Sequence, residues 1–172
     1  MENRDVFGQA RLEAILIANH EAEGMAPAEI LDQVARKAEL KAIEDMGEES
    51  ENRFSVYARR LPIVKSVRNP TPEEDVYRGI DKWILFTENQ GLPELPVQVK
   101  SSYHDAKRYK YGDPNTGRRP DPCFTRLHGM QIVLNCGRSV KPGTFRKQLH
   151  EEMRRIRLTL KGNPSLTKYI QR

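Results

Sequence analysis

The chain has little of what marks a secreted or membrane protein. Its 172 residues include two cysteines, Cys123 and Cys136, too few for a disulfide framework. It has no run of 18 apolar residues, so a transmembrane helix is not expected. The N-terminus, Met-Glu-Asn-Arg-Asp, lacks the basic-then-apolar pattern of a secretion signal. The expectation is a soluble cytoplasmic protein with no membrane partner. Paired CxxC spacing is absent as well: Cys123, His128 and Cys136 offer three zinc-type ligands with no evident fourth, and two reduced, partly buried thiols are the simpler reading. Internal repeats and low-complexity tracts are also missing.

Charge, by contrast, is abundant and uneven. Charged residues make up 31% of the chain and hydrophobic ones 37%, enough for one core under a heavily charged surface. The net charge of +5 conceals an asymmetry. Residues 1–80 carry 11 Lys/Arg against 16 Asp/Glu, and residues 81–172 carry 18 against 8. A basic half of this size points to a polyanionic partner, with nucleic acid ahead of membrane because no amphipathic anchor is visible.

Apolar spacing predicts a helix over residues 4–23 and a second from Pro27 towards Met46, interrupted or bent at Gly47. A third helix is expected over 48–61 with Phe54, Ala58 and Leu61 facing inward. Strands are expected at Ile63–Val67, Tyr77–Phe86, Val97–Ser101 and Met130–Cys136, with a polar turn at 69–74 and a long connection over 103–127. A closing helix from Thr144 to Leu160 carries the stripe Phe145, Leu149, Met153, Ile156 and Leu160. The whole reads as an α/β domain over 47–172, with a mixed sheet of about four strands flanked by helices, preceded by an N-terminal helical segment over 1–46. That acidic segment could dock a protein partner or a second copy in a homodimer.

The residues that carry chemistry lie on the second and third strands. Strand side chains alternate faces, so Gln98 and Lys100 share one side while Val97 and Val99 take the other. Asp81 stands on the neighbouring strand. An acid that can hold a divalent cation, beside a lysine that can position water and offset negative charge, is what metal-assisted phosphodiester chemistry needs. Glu51 falls on or beside the inward stripe of the third helix, Glu48 about 60° from it, and Glu49 on the opposite side. A carboxylate there either meets a cation or simply favours the helix N-terminus.

With these residues in place, the chain resembles the PD-(D/E)XK nuclease superfamily, in its Gln-x-Lys branch. "GIDKWI" looks like the Asp motif, "PVQVKSS" like the acid-or-Gln-x-Lys motif, and "GEESENRFSVYARRL" like the Glu-bearing helix. The resemblance spans about residues 47–136 and implies a restriction-endonuclease-like core that hydrolyses DNA with Mg²⁺ or Mn²⁺. It implies Asp81 as the central metal ligand and Gln98 as a carbonyl donor. Lys100 would act on the attacking water and the transition state, and Glu51, or Glu48 in its stead, would complete the site. A helix near His104–Tyr111, inside the long connection, would preserve the topology. That connection interleaves Lys107, Arg108, Lys110, Arg118, Arg119 and Arg126 with aromatic rings, a pattern suited to phosphates and bases. The final helix adds further cations, many of which must face solvent.

Overall fold

The computed structural model describes residues 27–169. The helix expected over 4–23 lies outside them. Contacts divide the chain into two units, residues 1–46 and 47–172. The first described element, α1 (Pro27–Arg59), is one helix of 33 residues. This corrects the expected break at Gly47. A Cβ at Gly47 would meet nothing within 4 Å, and its backbone needs no left-handed geometry. Glu- and Lys-rich flanks propagate the helix, so a glycine costing about 1 kcal/mol does not end it. Ser50, Phe54 and Ala58 are its buried residues after Gly47.

After β1 (Val64–Arg68), the chain forms a short helix, α2 (Pro72–Arg78), where a turn and the start of a strand were expected. The reason is local. The Thr71 hydroxyl accepts from the Glu74 amide, and the Glu74 carboxylate accepts from the Thr71 amide, a complete capping box. Pro72 sits where a missing N–H costs nothing, and Gly79 closes the helix at φ 57°. Strand β2 therefore starts only at Lys82 and runs to Phe86.

A short 3₁₀ turn at Glu88–Gln90 leads to β3 (Leu95–Lys100). The connection that follows contains two helices, α3 (Tyr103–Tyr111) and α4 (Pro122–Arg126). Ser102 and Asp121 cap them by accepting from the amides of Asp105 and Cys123. These helices carry the chain across the sheet, so β4 (Ile132–Asn135) lies parallel to β3. The sheet order is β1-β2-β3-β4, with the first two pairings antiparallel. Helix α5 (Pro142–Gly162) and a 3₁₀ turn at Pro164–Tyr169 follow.

Alternation along the strands sorts the two faces. Val97, Val99, Ile132 and Leu134 join the main core with Phe54, Leu149 and Met153. Phe54 and Tyr57 set their rings edge-on to Phe145, at 5.8 and 5.4 Å. Val133 belongs to a smaller cluster with Ala106 and Tyr109 of α3. Cys136 is fully buried in the main core, and burial pushes its thiol up to about 12.

Helix α5 also seals the outer edge of β4. The Val133 amide donates to Glu152 (3.1 Å) and the Asn135 amide to Gln148 (3.1 Å). Arg155 donates to the carbonyls of Gly129 and Gln131. Glu152 is 6% exposed, and Arg155 and Lys110 hold its carboxylate below the usual range against the opposing cost of burial. Side chains from a helix thus take up strand-edge groups that another strand would otherwise pair.

Among the described residues, no helix is long and apolar enough to cross a membrane.

Candidate functional site

The site forms where β2 and β3 part company. The ladder pairs Lys82 with Val97, and the chain before Lys82 turns away through the left-handed Gly79. The Asp81 amide still donates to the Val97 carbonyl (2.9 Å), but the Val99 amide has no backbone acceptor on β2. The Asp81 carboxylate takes that bond at 2.6 Å, and its same oxygen accepts from the Gln98 side-chain amide, also at 2.6 Å. Gln98 is 7% exposed and lies on the α3 side of the sheet, in register with Val133.

Asp81 is electrostatically uncomfortable. Burial pushes its carboxyl up to about 7, the Val99 amide opposes this, and the negative charge of Glu51 adds to the rise while Lys100 relieves it. The two carboxylates are therefore close enough to sense each other. Glu51 itself is tied to Lys82, its Oε2 lying 2.8 Å from Nζ. Asp81, expected on the neighbouring strand, lies instead in the bend just before β2, because α2 and Gly79 turn the chain there. With Gln98 and Lys100 of β3 and Glu51 of α1 it makes one electrostatic neighbourhood.

Lys100, at the end of β3, rests over the Tyr109 ring at 4.6 Å. Tyr109 is fixed in turn: its hydroxyl donates to Gln131 Oε1 (3.0 Å), and Gln131 Nε2 donates to the Gly79 carbonyl (2.6 Å). Burial drives the phenol well up, so it remains a neutral donor. This relay joins the support under Lys100 to the backbone two residues before Asp81. Beside it opens a cleft of about 250 Å³ lined by Lys100, Asp105, Arg108, Tyr109, Arg118 and Asp121. A tight turn presents Arg118 there, its carbonyl accepting from the Asp113 amide (2.7 Å) and its amide donating back (3.1 Å).

The other expected residues scatter. Glu48 is exposed on α1, one turn before Glu51. Glu49 binds Arg53 and Arg138. Of the six cations expected to meet nucleic acid, only Arg108 and Arg118 line the cleft with Lys100. Lys107 and Lys110 line a second cleft on the other side of α3, where Lys110 is committed to Glu152 at 2.8 Å. Arg126 donates to the Tyr77 carbonyl (3.3 Å), and Arg119 is exposed. Sequence reasoning missed Lys82 and Gln131, and it took Tyr109 as one of the stacking rings of the basic connection, whereas the fold buries it under Lys100. Gln131 left a signal, a lone amide at the head of an apolar strand, because such a group stays buried only with partners.

Among the described residues, no three His, Cys, Asp or Glu side chains converge as a metal-binding group. No protein-family model, curated protein or solved structure matches the chain.

Proposed function

We propose that the chain is a metal-dependent DNA endonuclease on a PD-(D/E)XK-type, restriction-endonuclease-like core. The observation that carries the reading is the junction of β2 and β3. There a carboxylate at the entrance to β2 takes bonds from the Val99 amide and the Gln98 side chain of β3, and its charge senses Lys100 and the Glu51 of α1. The sheet order, with two antiparallel pairings and then a parallel one made by a helical crossover, supports it.

The donor set suits a hard divalent cation such as Mg²⁺ or Mn²⁺. Asp81 and Glu51 supply carboxylate oxygens and Gln98 an amide oxygen, and a cation would offset the cost of burial and the lesser Glu51 repulsion that hold Asp81 up. Glu51 can join through Oε1 while Oε2 stays on Lys82. When bound, the metal would polarise the phosphodiester and lower the pKa of an attacking water. The chain's own groups do the rest. Lys100, held over Tyr109, orients that water and offsets the charge that grows on the phosphorane-like transition state. Arg108 and Arg118, across the same cleft, hold the flanking phosphates, and Lys82 steadies Glu51.

Incubation with plasmid and linear DNA in Mg²⁺ or Mn²⁺ tests the proposal. Cleavage is expected, and Lys100→Ala should slow it on the order of 10²–10³-fold. No cleavage, or cleavage indifferent to Lys100→Ala, ends this reading. One observation favours a second: Asp81 is already satisfied by Val99 and Gln98, and Glu51 by Lys82. That closure suits a nucleic-acid-binding module without catalysis, which would bind with salt sensitivity, indifferent to Mg²⁺.

A further inference from the structure

Helix α5 has a second face that the sheet does not use. Its buried residues, Phe145, Leu149, Glu152, Met153 and Ile156, form one stripe. At 3.6 residues per turn the opposite arc holds Arg146, Lys147, His150, Arg154, Arg157 and Lys161. All six are exposed. Arg157 donates to Gln90, but Arg146, Lys147, Arg154 and Lys161 close no ion pair within the described residues. Glu151 stands among them along a shallow groove lined by Gly143, Arg146, Lys147, His150 and Arg154, and it too forms no ion pair.

The placement is unfavourable for the fold taken alone. Lys141 at the N-cap makes no side-chain capping bond, and the first turn has no acid. Arg146 and Lys147 follow in the second turn, with no acid between them and the positive end of the helix dipole. Elsewhere Arg36, Arg53, Arg68 and Arg138 have carboxylate partners, and the exposed arginines that lack one, such as Arg59, Arg60 and Arg119, are not gathered on one helix face with four other cations. This face therefore concentrates charge that the protein does not neutralise internally.

We infer that the outer face of α5 binds the phosphate backbone of duplex DNA. Arg146 to Lys161 spans roughly 22 Å, or about six base steps of one strand. A membrane fits less well, because the apolar stripe of α5 is buried in the core and Leu158 is the single large apolar side chain exposed on the helix. The groove meets the cleft between α3 and α5 at Glu151, so a duplex on α5 passes Lys107 on its way towards the α3 side of the sheet. The inference rests on the reading of this chain as a nucleic-acid protein, though not on catalysis.

The test is equilibrium binding of the full chain to a fluorescent duplex of about 20 base pairs, in EDTA, from about 50 to about 200 mM KCl. Each phosphate contact contributes a slope of about −0.9 to log K against log salt. Arg146→Ala/Lys147→Ala/Arg154→Ala should flatten the slope by about 2.7, so that over this range salt weakens the variant about 40-fold less than wild type. The glutamine triple variant, with an unchanged thermal midpoint, should behave alike and rules out a folding defect. An unchanged slope in both variants places the contact elsewhere and overturns the inference, while cleavage by wild type would still uphold the catalytic reading. No wild-type binding at all also overturns the inference, while the catalytic reading still stands or falls on cleavage in Mg²⁺ or Mn²⁺. Loss of binding to phosphatidylserine vesicles with DNA binding intact makes the partner a lipid surface and also overturns it.

Discussion

At the level of single residues, Asp81 decides most, and its position has a thermodynamic signature. The native carboxyl holds its proton to about pH 7, whereas the unfolded chain releases it near the ordinary aspartate value. Between those limits the native state binds more protons, so stability falls as pH rises, at about 1.4 kcal/mol per pH unit at most. Asp81→Asn removes that slope and keeps an acceptor for the Val99 amide. The variant should gain a few kcal/mol on wild type between pH 4 and pH 8, read by urea melts at both pH values, and lose cleavage. A pH-independent difference between the two proteins would contradict the buried placement of the carboxyl. Period-two alternation was enough to separate Gln98 and Lys100 from Val97 and Val99. Lys82 and Tyr109 were not legible, because their roles depend on neighbours 31 and 9 residues away that only the folded sheet brings near.

Among the elements, those with strong periodicity matched their expected extent. Helix α5 and strands β1, β3 and β4 fall within a few residues of their apolar patterns. The misses came from local chemistry that outweighed periodicity. The capping box at Thr71–Glu74 and the stop at Gly79 turned the front of an expected strand into α2, and the cap at Asp121 added α4 to a connection in which the resemblance implied a helix only near His104–Tyr111, where α3 lies. Gly47 erred the other way, since helix cooperativity carried α1 through it. Gly47→Ala should therefore stabilise the protein by roughly 0.5–1 kcal/mol, seen as a higher denaturant midpoint at constant m-value. Destabilisation would mean that the helix needs flexibility at that point.

For the molecule as a whole, burial is uneven along its longest helix. Between residues 32 and 46 only Val34 is buried, whereas Ser50, Phe54 and Ala58 recur at every turn beyond Gly47. Local opening costs least where few apolar groups are covered. Hydrogen exchange should thus be at least ~10-fold faster at amides 36–46 than at 50–58; equal protection would show that the earlier turns are covered by something else. The uneven charge of the two halves was plain in composition. Its division into a cleft beside Lys100 and an outward face of α5 was not, since that depends on which cations the fold consumes in internal pairs.

The seal on β4 has a consequence at the acid end of the pH range. Its acceptor for the Val133 amide is a carboxylate held below the ordinary glutamate value, so the stability it contributes is present above that value and drains away as pH falls through the native one. Protonated Glu152 loosens its grip on Lys110 and Arg155 together. The bonds of Gln148 and Arg155 still cover the margin of β4, but the Val133 amide loses its charged acceptor, and that point is where another chain could first add itself. Acid would therefore weaken this protein first at the centre of β4, where one titrating side chain closes the edge that Gln148 and Arg155 close on either side.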